Sequence, residues 1–145
     1  MDTNQDLQFA TELRTVLTRL IKKLRKESVT GQHLSLTERS TMALLQQHKA
    51  LLPSELAAME KITNQSMSQV LSNLSELGYI IRTASTTDKR KVNISLSEQG
   101  ETTLLRVRHE RDEWLANALN VCCTPAEQAI IKQAIMPLTK LVDFE

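Results

Sequence analysis

Apolar residues recur at helical spacing through most of this chain, and only between Tyr79 and Leu96 does the spacing become that of a strand. There Val92, Ile94 and Leu96 alternate with Asn93, Ser95 and Ser97, the period of a strand with one buried face, and Tyr79 to Ala84 is equally β-prone. Thr86 to Arg90 is a five-residue loop that closes the two into a hairpin. Its tip carries Lys89, Arg90 and Lys91 away from any core. A single hairpin in a helical chain limits the fold to a mainly α (α+β) arrangement in which helices supply the core.

The helices are bounded by local chemistry. Residues 7–26 carry Leu13, Val16, Leu17, Leu20, Ile21 and Leu24 on one stripe with basic residues between them. Gly31 and its polar neighbours end this helix. Ser35 and Glu38 then form a capping box that opens a second helix, about Thr37 to His48. Pro53 suits the first position of a third, to about Lys61, because its missing N–H is harmless there. Thr63 caps a fourth, and Ser97 caps a long fifth. Thr124-Pro125-Ala126-Glu127 is another capping box and opens a last helix, which Pro137 should kink or break one turn from its end.

In this order, α-α-α-α-β-β-α-α, the first and last helices have broad apolar faces but sit at opposite ends of the chain, flanking a middle that already makes a small core. Packing across a two-fold axis with a second copy would bury them, so a homodimer is expected. The expected organisation is an N-terminal helix belonging to a dimerisation lobe (residues 1–35), a middle lobe built of helices and the hairpin (36–98) and C-terminal dimerisation helices (99–145). Charge follows the same division. Residues 97–145 hold eight acidic and five basic groups, whereas residues 36–96 hold five acidic and seven basic ones. A polarity of this kind suits a protein with one lobe facing a polyanion.

In the middle segment, Leu56, Ala57, Ile62, Met67 and Val70 have the spacing of a helix-turn-helix, with Lys61 where Gly often makes the turn. Met67, Val70, Leu71, Leu74 and Leu77 form the inner stripe of the helix after Thr63. Gln65, Ser68, Gln69, Ser72 and Glu76 lie on or near its outer face. Gln bonds adenine at two atoms, Ser serves phosphate or base, and Thr63 with the free amides of the first turn can hold a phosphate. A Gln and Ser face also fits an ordinary surface helix, and a basic hairpin tip also fits a solvated turn. Their succession in one chain favours the functional reading of both. A helix-turn-helix followed directly by a hairpin is a winged helix, whose wing tip lies beside the groove next to the one that takes the recognition helix. Arg90 then enters the minor groove, flanked by Lys89 and Lys91 on phosphates. Asp88 either holds Arg90 extended through an ion pair or simply forms the turn. The expected DNA-binding residues are Thr63, Asn64, Gln65, Ser68, Gln69, Ser72, Asp88, Lys89, Arg90 and Lys91.

The run from Asp88 to Gly100, DKRKVNISLSEQG, resembles the wing signature of the MarR (multiple antibiotic resistance regulator) family. In that signature an Asp, a basic residue and an Arg lead into a strand ending Leu-Thr-x-x-Gly. The preceding stretch, with Leu74, Gly78, Tyr79, Ile80 and Arg82, resembles the exit of the same family's helix-turn-helix. The resemblance implies a dimeric transcription regulator, usually a repressor, on a pseudo-palindromic operator of double-stranded DNA. It also implies release by a small anionic or phenolic ligand, for which the crevice between the lobes offers Arg14, Arg19 and His33, although these residues also fit an ordinary surface. Gln69 and Asn73 stand where relatives often carry Arg or Lys. The first helix has no Cys of the kind that hydroperoxide-sensing relatives use.

Other functional classes find little support. His33, His48 and His109 lie in different elements without metal-ligand spacing, the three glycines are too dispersed for a phosphate loop, and no nucleophile elbow occurs, so neither an enzyme nor a metal or other cofactor is expected. No run approaches a membrane span and residues 1–25 lack an uninterrupted apolar stretch, which points to the cytoplasm. Adjacent Cys122 and Cys123 cannot close a stabilising loop, and are expected as small core residues at the bend between the last two helices. The alternative from another class is a winged helix used as a protein-protein interaction module.

Overall fold

The computed structural model describes residues 2–145, in six helices and one hairpin: α1 (Thr3–Lys26), α2 (Leu36–His48), α3 (Pro53–Glu60), α4 (Asn64–Glu76), β1 (Ile80–Ala84), β2 (Val92–Leu96), α5 (Glu98–Cys122) and α6 (Pro125–Val142). The order is the expected one, and the caps explain the boundaries. Glu38 N donates to Ser35 Oγ at 3.1 Å while Ser35 N donates to Glu38 Oε1 at 2.8 Å, so the two residues satisfy donors that the first turn of α2 leaves open. Thr124 and Glu127 repeat the arrangement at α6, at 2.9 and 3.2 Å. α1 starts earlier than its apolar stripe suggests, because the Asp2 side chain accepts from Asn4 N at 3.2 Å and caps it there.

One hydrophobic cluster organises the middle of the chain. It comprises Leu34, Met42, Leu45, Leu51, Leu56, Ala57, Met67, Leu71, Leu74, Tyr79, Ile80, Ile94 and Leu104, with Ile62 and Val70 packed against it. The helix-turn-helix anchors are therefore in place: Leu56 and Ala57 face Met67 and Leu71 across the α3–α4 crossing, and Ile62 N donates to Ala57 O at 3.0 Å to close the turn. Lys61 makes that turn at φ 56°, ψ 43°, in the left-handed region. A β-carbon is disfavoured there by about 1 kcal/mol. Lys61→Gly is therefore expected to raise stability by roughly 0.5 to 1 kcal/mol, less whatever entropy the unfolded chain gains. Denaturant titration measures it, and a lower midpoint would show that the lysine stem contributes packing.

The strands pair antiparallel with Ile80 opposite Leu96, Arg82 opposite Ile94 and Ala84 opposite Val92. Ser85 N donates to Lys91 O at 2.9 Å, which extends the ladder one step and leaves Thr86–Arg90 as the five-residue loop. The alternation in β2 reports burial only at its centre. Ile94 is fully buried, but Val92 is 37% exposed because it lies toward the tip, beyond the reach of the helices. Leu51 forms an isolated bridge with Ile94 through N–H···O bonds of 3.0 and 2.8 Å, tying the segment before α3 to the wing. Leu77, expected on the inner stripe of α4, is instead its C-cap and stays exposed.

Two further expectations need correction. α6 is not broken at Pro137: it continues to Val142, and Asp143 N donates to Thr139 O at 3.1 Å beyond the proline. Proline removes one bond of the ladder, and the flanking turns keep theirs. Cys122 and Cys123 do lie at the α5–α6 bend, but Cys122 is exposed and Cys123 half-buried in the single chain, with their sulfurs 3.9 Å apart. Neither α1 nor α6 contains a buried residue, and Leu7, Phe9, Val16, Ile21, Ile130, Ile135 and Met136 are all exposed. No helix among the described residues is long and apolar enough to cross a membrane.

Candidate nucleic-acid interface

α4 is presented by its buried stripe. With Met67, Leu71 and Leu74 in the core, helical geometry turns Gln65, Ser68, Gln69, Ser72 and Glu76 outward, and all are exposed. Thr63 sits at the N-cap: its Oγ1 accepts from Ser66 N at 3.0 Å and lies 2.9 Å from Ser66 Oγ. The first backbone bond of the helix is Met67 N to Thr63 O, so the amides of Asn64 and Gln65 precede the ladder and point out of its exposed end.

Gln69 is held. Its Nε2 donates to Asn73 Oδ1 at 3.1 Å, one turn along. That bond takes one amide hydrogen and leaves the other, with Oε1, for a partner, which is the donor and acceptor pair that adenine requires. Asn73 thus holds the Gln69 side chain, a contact that the sequence reading did not assign to it. Its signal was present in the i, i+4 spacing of two amides on an outward face.

The wing tip is ordered by two side chains. Ser85 is 9% exposed, and its hydroxyl accepts from Thr87 N at 3.3 Å and Asp88 N at 3.4 Å. Asp88 Oδ1 accepts from Arg90 N at 3.0 Å and from Arg90 Nε at 3.4 Å, so this carboxylate both forms the turn and pairs with the guanidinium. The two readings of Asp88 are one geometry. Arg90 remains 91% exposed, and Lys89 and Lys91 are exposed beside it. Ser85 was missed from sequence, although a Ser three residues before an Asp is itself a turn signal.

The wing is fixed at its root by Ser97, the cap of α5. Ser97 Oγ donates to Gly78 O at 2.5 Å and accepts from Gly100 N at 3.0 Å, while Ser97 N donates to Tyr79 O at 3.0 Å. Gly78, at φ +78°, ends α4 in the left-handed conformation that a β-carbon disfavours.

A second polar cluster joins the α1–α2 link to α5. Glu110 accepts from Ser28 Oγ at 2.8 Å, from Thr30 N at 3.2 Å and from Thr30 Oγ1. The Thr30 and Ser28 hydroxyls hold its carboxyl below the usual carboxylate range. Its contribution is complete above the ordinary Glu pKa and is lost as pH falls through the lower folded value. Of the residues expected to meet an anion, Arg14 and Arg19 are exposed on α1, and His33 Nε2 lies 2.9 Å from Tyr79 Oη. None of the three lines the cavity beside this link, which is formed by Lys22, Arg25, Lys26, Gln32, Leu34 and Arg39. Among the described residues no cluster of three or more His, Cys, Asp or Glu can hold a metal.

A helix-turn-helix closed by a hairpin, with an exposed polar helix face and a cationic tip, defines a winged-helix DNA-binding regulator. The comparisons place it more narrowly. The model of the MarR family matches residues 34–92, the stretch from the start of α2 to the wing. An HTH-type transcriptional regulator of Mycobacterium tuberculosis is 30% identical over 140 residues, 97% of this chain and 96% of that protein. The crystal structure of a putative transcriptional regulator from Pseudomonas aeruginosa is 34% identical with a TM-score of 0.83, covering 99% of this chain and 100% of that one. S. aureus MepR bound to an oligodeoxyribonucleotide shares the fold at a TM-score of 0.71 and 18% identity, over 92% and 97% of the two chains. This chain belongs to the MarR family of transcriptional regulators.

Proposed function

We propose that the protein is a cytoplasmic homodimeric repressor that binds a pseudo-palindromic operator and leaves it when a small anionic or phenolic ligand binds. Each subunit would lay α4 in a major groove, with Gln69 and Ser68 toward base edges and Thr63, Asn64, Gln65 and Ser72 toward phosphate or base. Arg90 would enter the adjacent minor groove between Lys89 and Lys91 on phosphates. The single observation that carries this reading is that both contact elements face outward on defined supports: α4 on its buried stripe, and Arg90 beside the Asp88 carboxylate at a tip whose backbone Ser85 binds. The oligodeoxyribonucleotide held by MepR on the same fold supports it. The exposed apolar faces of α1 and α6 support a division into a DNA-binding lobe at residues 36–98 and a dimerisation lobe from residues 1–35 and 99–145. In a two-fold dimer of this type, half-sites lie about 10 bp apart.

Duplex fragments selected from the source genome with purified protein test the reading. On a selected operator, Arg90→Ala is expected to weaken binding roughly ten- to a hundredfold. Gln69→Ala should flatten the preference among operator variants. Unchanged affinity in Arg90→Ala removes the wing from the interface, and a uniform loss in Gln69→Ala across all sequences reassigns that side chain to the backbone.

A further inference from the structure

Lys61 is the one cation of the helix-turn-helix. Residues 53–76 hold Glu55, Glu60 and Glu76 against it, a net charge of −2 on the segment that has to approach a polyanion. Two of these carboxylates are engaged within the fold. Glu55 Oε1 accepts from Leu52 N at 2.9 Å and completes the start of α3, and Glu60 Oε1 accepts from Ser40 Oγ and ties α3 to α2. No comparable contact holds Lys61. Its side chain is exposed, and the ion pairs among the described residues are Arg90 with Asp88 and His109 with Glu113.

Lys61 also stands in an unfavourable backbone conformation. Among the described residues only Lys49 and Lys61 have positive φ without being glycine, and Lys61 does so at φ 56°. The turn closes through Lys61 N on Ala58 O at 3.2 Å and Ile62 N on Ala57 O at 3.0 Å. Both bonds are made by backbone, and glycine makes them without the crowding of a β-carbon. A cation does suit the C-terminal end of α3, but that benefit is one of stability alone. Strain of this kind persists where a ligand contact requires the side chain.

We propose that Lys61 binds a backbone phosphate of duplex DNA at the edge of the major groove. The contact supplies the electrostatic hold of a helix-turn-helix whose other outward groups are uncharged or acidic. The proposal rests on the DNA-binding reading above and adds a residue outside its expected contacts. In a helix-turn-helix the first helix crosses the sugar-phosphate backbone, and the second enters the groove by its N-terminal residues. The turn that joins them therefore lies at the edge of the groove, and Lys61 precedes the Thr63 cap of α4 by two residues. Replacing it should act in opposite directions on the two properties: Lys61→Gly is expected to hold its fold better and its operator worse.

The test compares the native full chain with Lys61→Gly, Lys61→Asn and Lys61→Arg on one selected duplex. Affinity is followed between about 50 and 200 mM salt, and denaturant midpoints are recorded beside it. Glycine and asparagine tolerate the left-handed conformation and carry no charge. Each should lower operator affinity and flatten the slope of log affinity against log salt by about 1.8, because each subunit gives up one phosphate. The deficit should then shrink roughly twelvefold across that salt range. It should be equal on every operator variant, as for a contact that carries no base information. Arginine should keep the native slope. A native slope retained in both uncharged variants overturns the contact and leaves the DNA reading intact. Equal losses in all three variants at an unchanged slope assign Lys61 to the shape of the turn, which also overturns it. A native chain without salt-dependent duplex affinity overturns the DNA reading and the contact together.

Discussion

Gly100→Ala is expected to destabilise the protein by about 3 kcal/mol or more, lowering the melting temperature by roughly 10 °C. A β-carbon at Gly100 would lie 2.1 Å from Tyr79 O and 2.9 Å from the carbon that bears it. Both are backbone, pinned between α4 and the wing by Ser97 N on Tyr79 O at 3.0 Å, so no side chain can rotate out of the way. The first turn of α5 would have to lift. The same turn carries the Ser97 cap that holds Gly78, so the wing should change its angle to α4 and DNA affinity should fall with stability. Gly31→Ala is the internal comparison, because the nearest atoms there belong to side chains, Arg39 Nη2 at 2.8 Å and Val107 Cγ1 at 3.1 Å, and not to backbone. Its effect should be the smaller. Equal melting temperatures for the native protein and Gly100→Ala would mean that α5 is not seated on the wing root as described.

Removal of residues 124–145 is expected to abolish dimerisation and leave a monomeric or aggregating product. In the single chain Ile130, Ile131, Ile135, Met136 and Leu141 of α6 are between 42% and 68% exposed, and Leu7, Phe9, Val16, Leu20 and Ile21 of α1 between 38% and 67%. Burying each such side chain stabilises by about 1.5 to 3 kcal/mol, so two copies of these faces outweigh the cost of association by a wide margin. Removal of residues 1–20 should act the same way. Sedimentation of each truncated protein checks it. A well-behaved dimer from either would place the interface somewhere other than on α1 and α6.

Most of the architecture was legible because caps and periods are local. Ser35, Thr63, Ser97 and Thr124 each cap the helix that the sequence assigns to them, and the strand period of residues 92–96 appears as the wing. What escaped is what non-local packing decides. The Leu51 bridge to Ile94 has no signal in a residue two before a proline, since its partner lies across the core. Val92 has the strand period but not the burial, because alternation says which face a side chain takes and not how far the core extends beneath it. Of the two outcomes expected at Pro137 the break does not occur: a proline costs one ladder bond, and the remaining bonds of a capped helix sustain it. The site divides similarly. The exposed positions of Arg90, Lys89 and Gln69 follow from residue type and spacing, whereas the contacts that hold two of them, Asp88 on Arg90 and Asn73 on Gln69, take their geometry only from the folded chain.

The central claim is that α4 and the wing read duplex DNA as a symmetric pair. The most direct measurement is the affinity of the intact protein for a selected duplex, followed against salt concentration, with stoichiometry determined at each end of the range. The account predicts two chains per site and a steep linear fall of log affinity with log salt, reflecting release of counterions from the phosphates met by Lys89, Lys91 and Arg90 in both subunits. Weak duplex affinity that does not vary with salt would contradict it, and would make this winged helix a surface for protein partners instead.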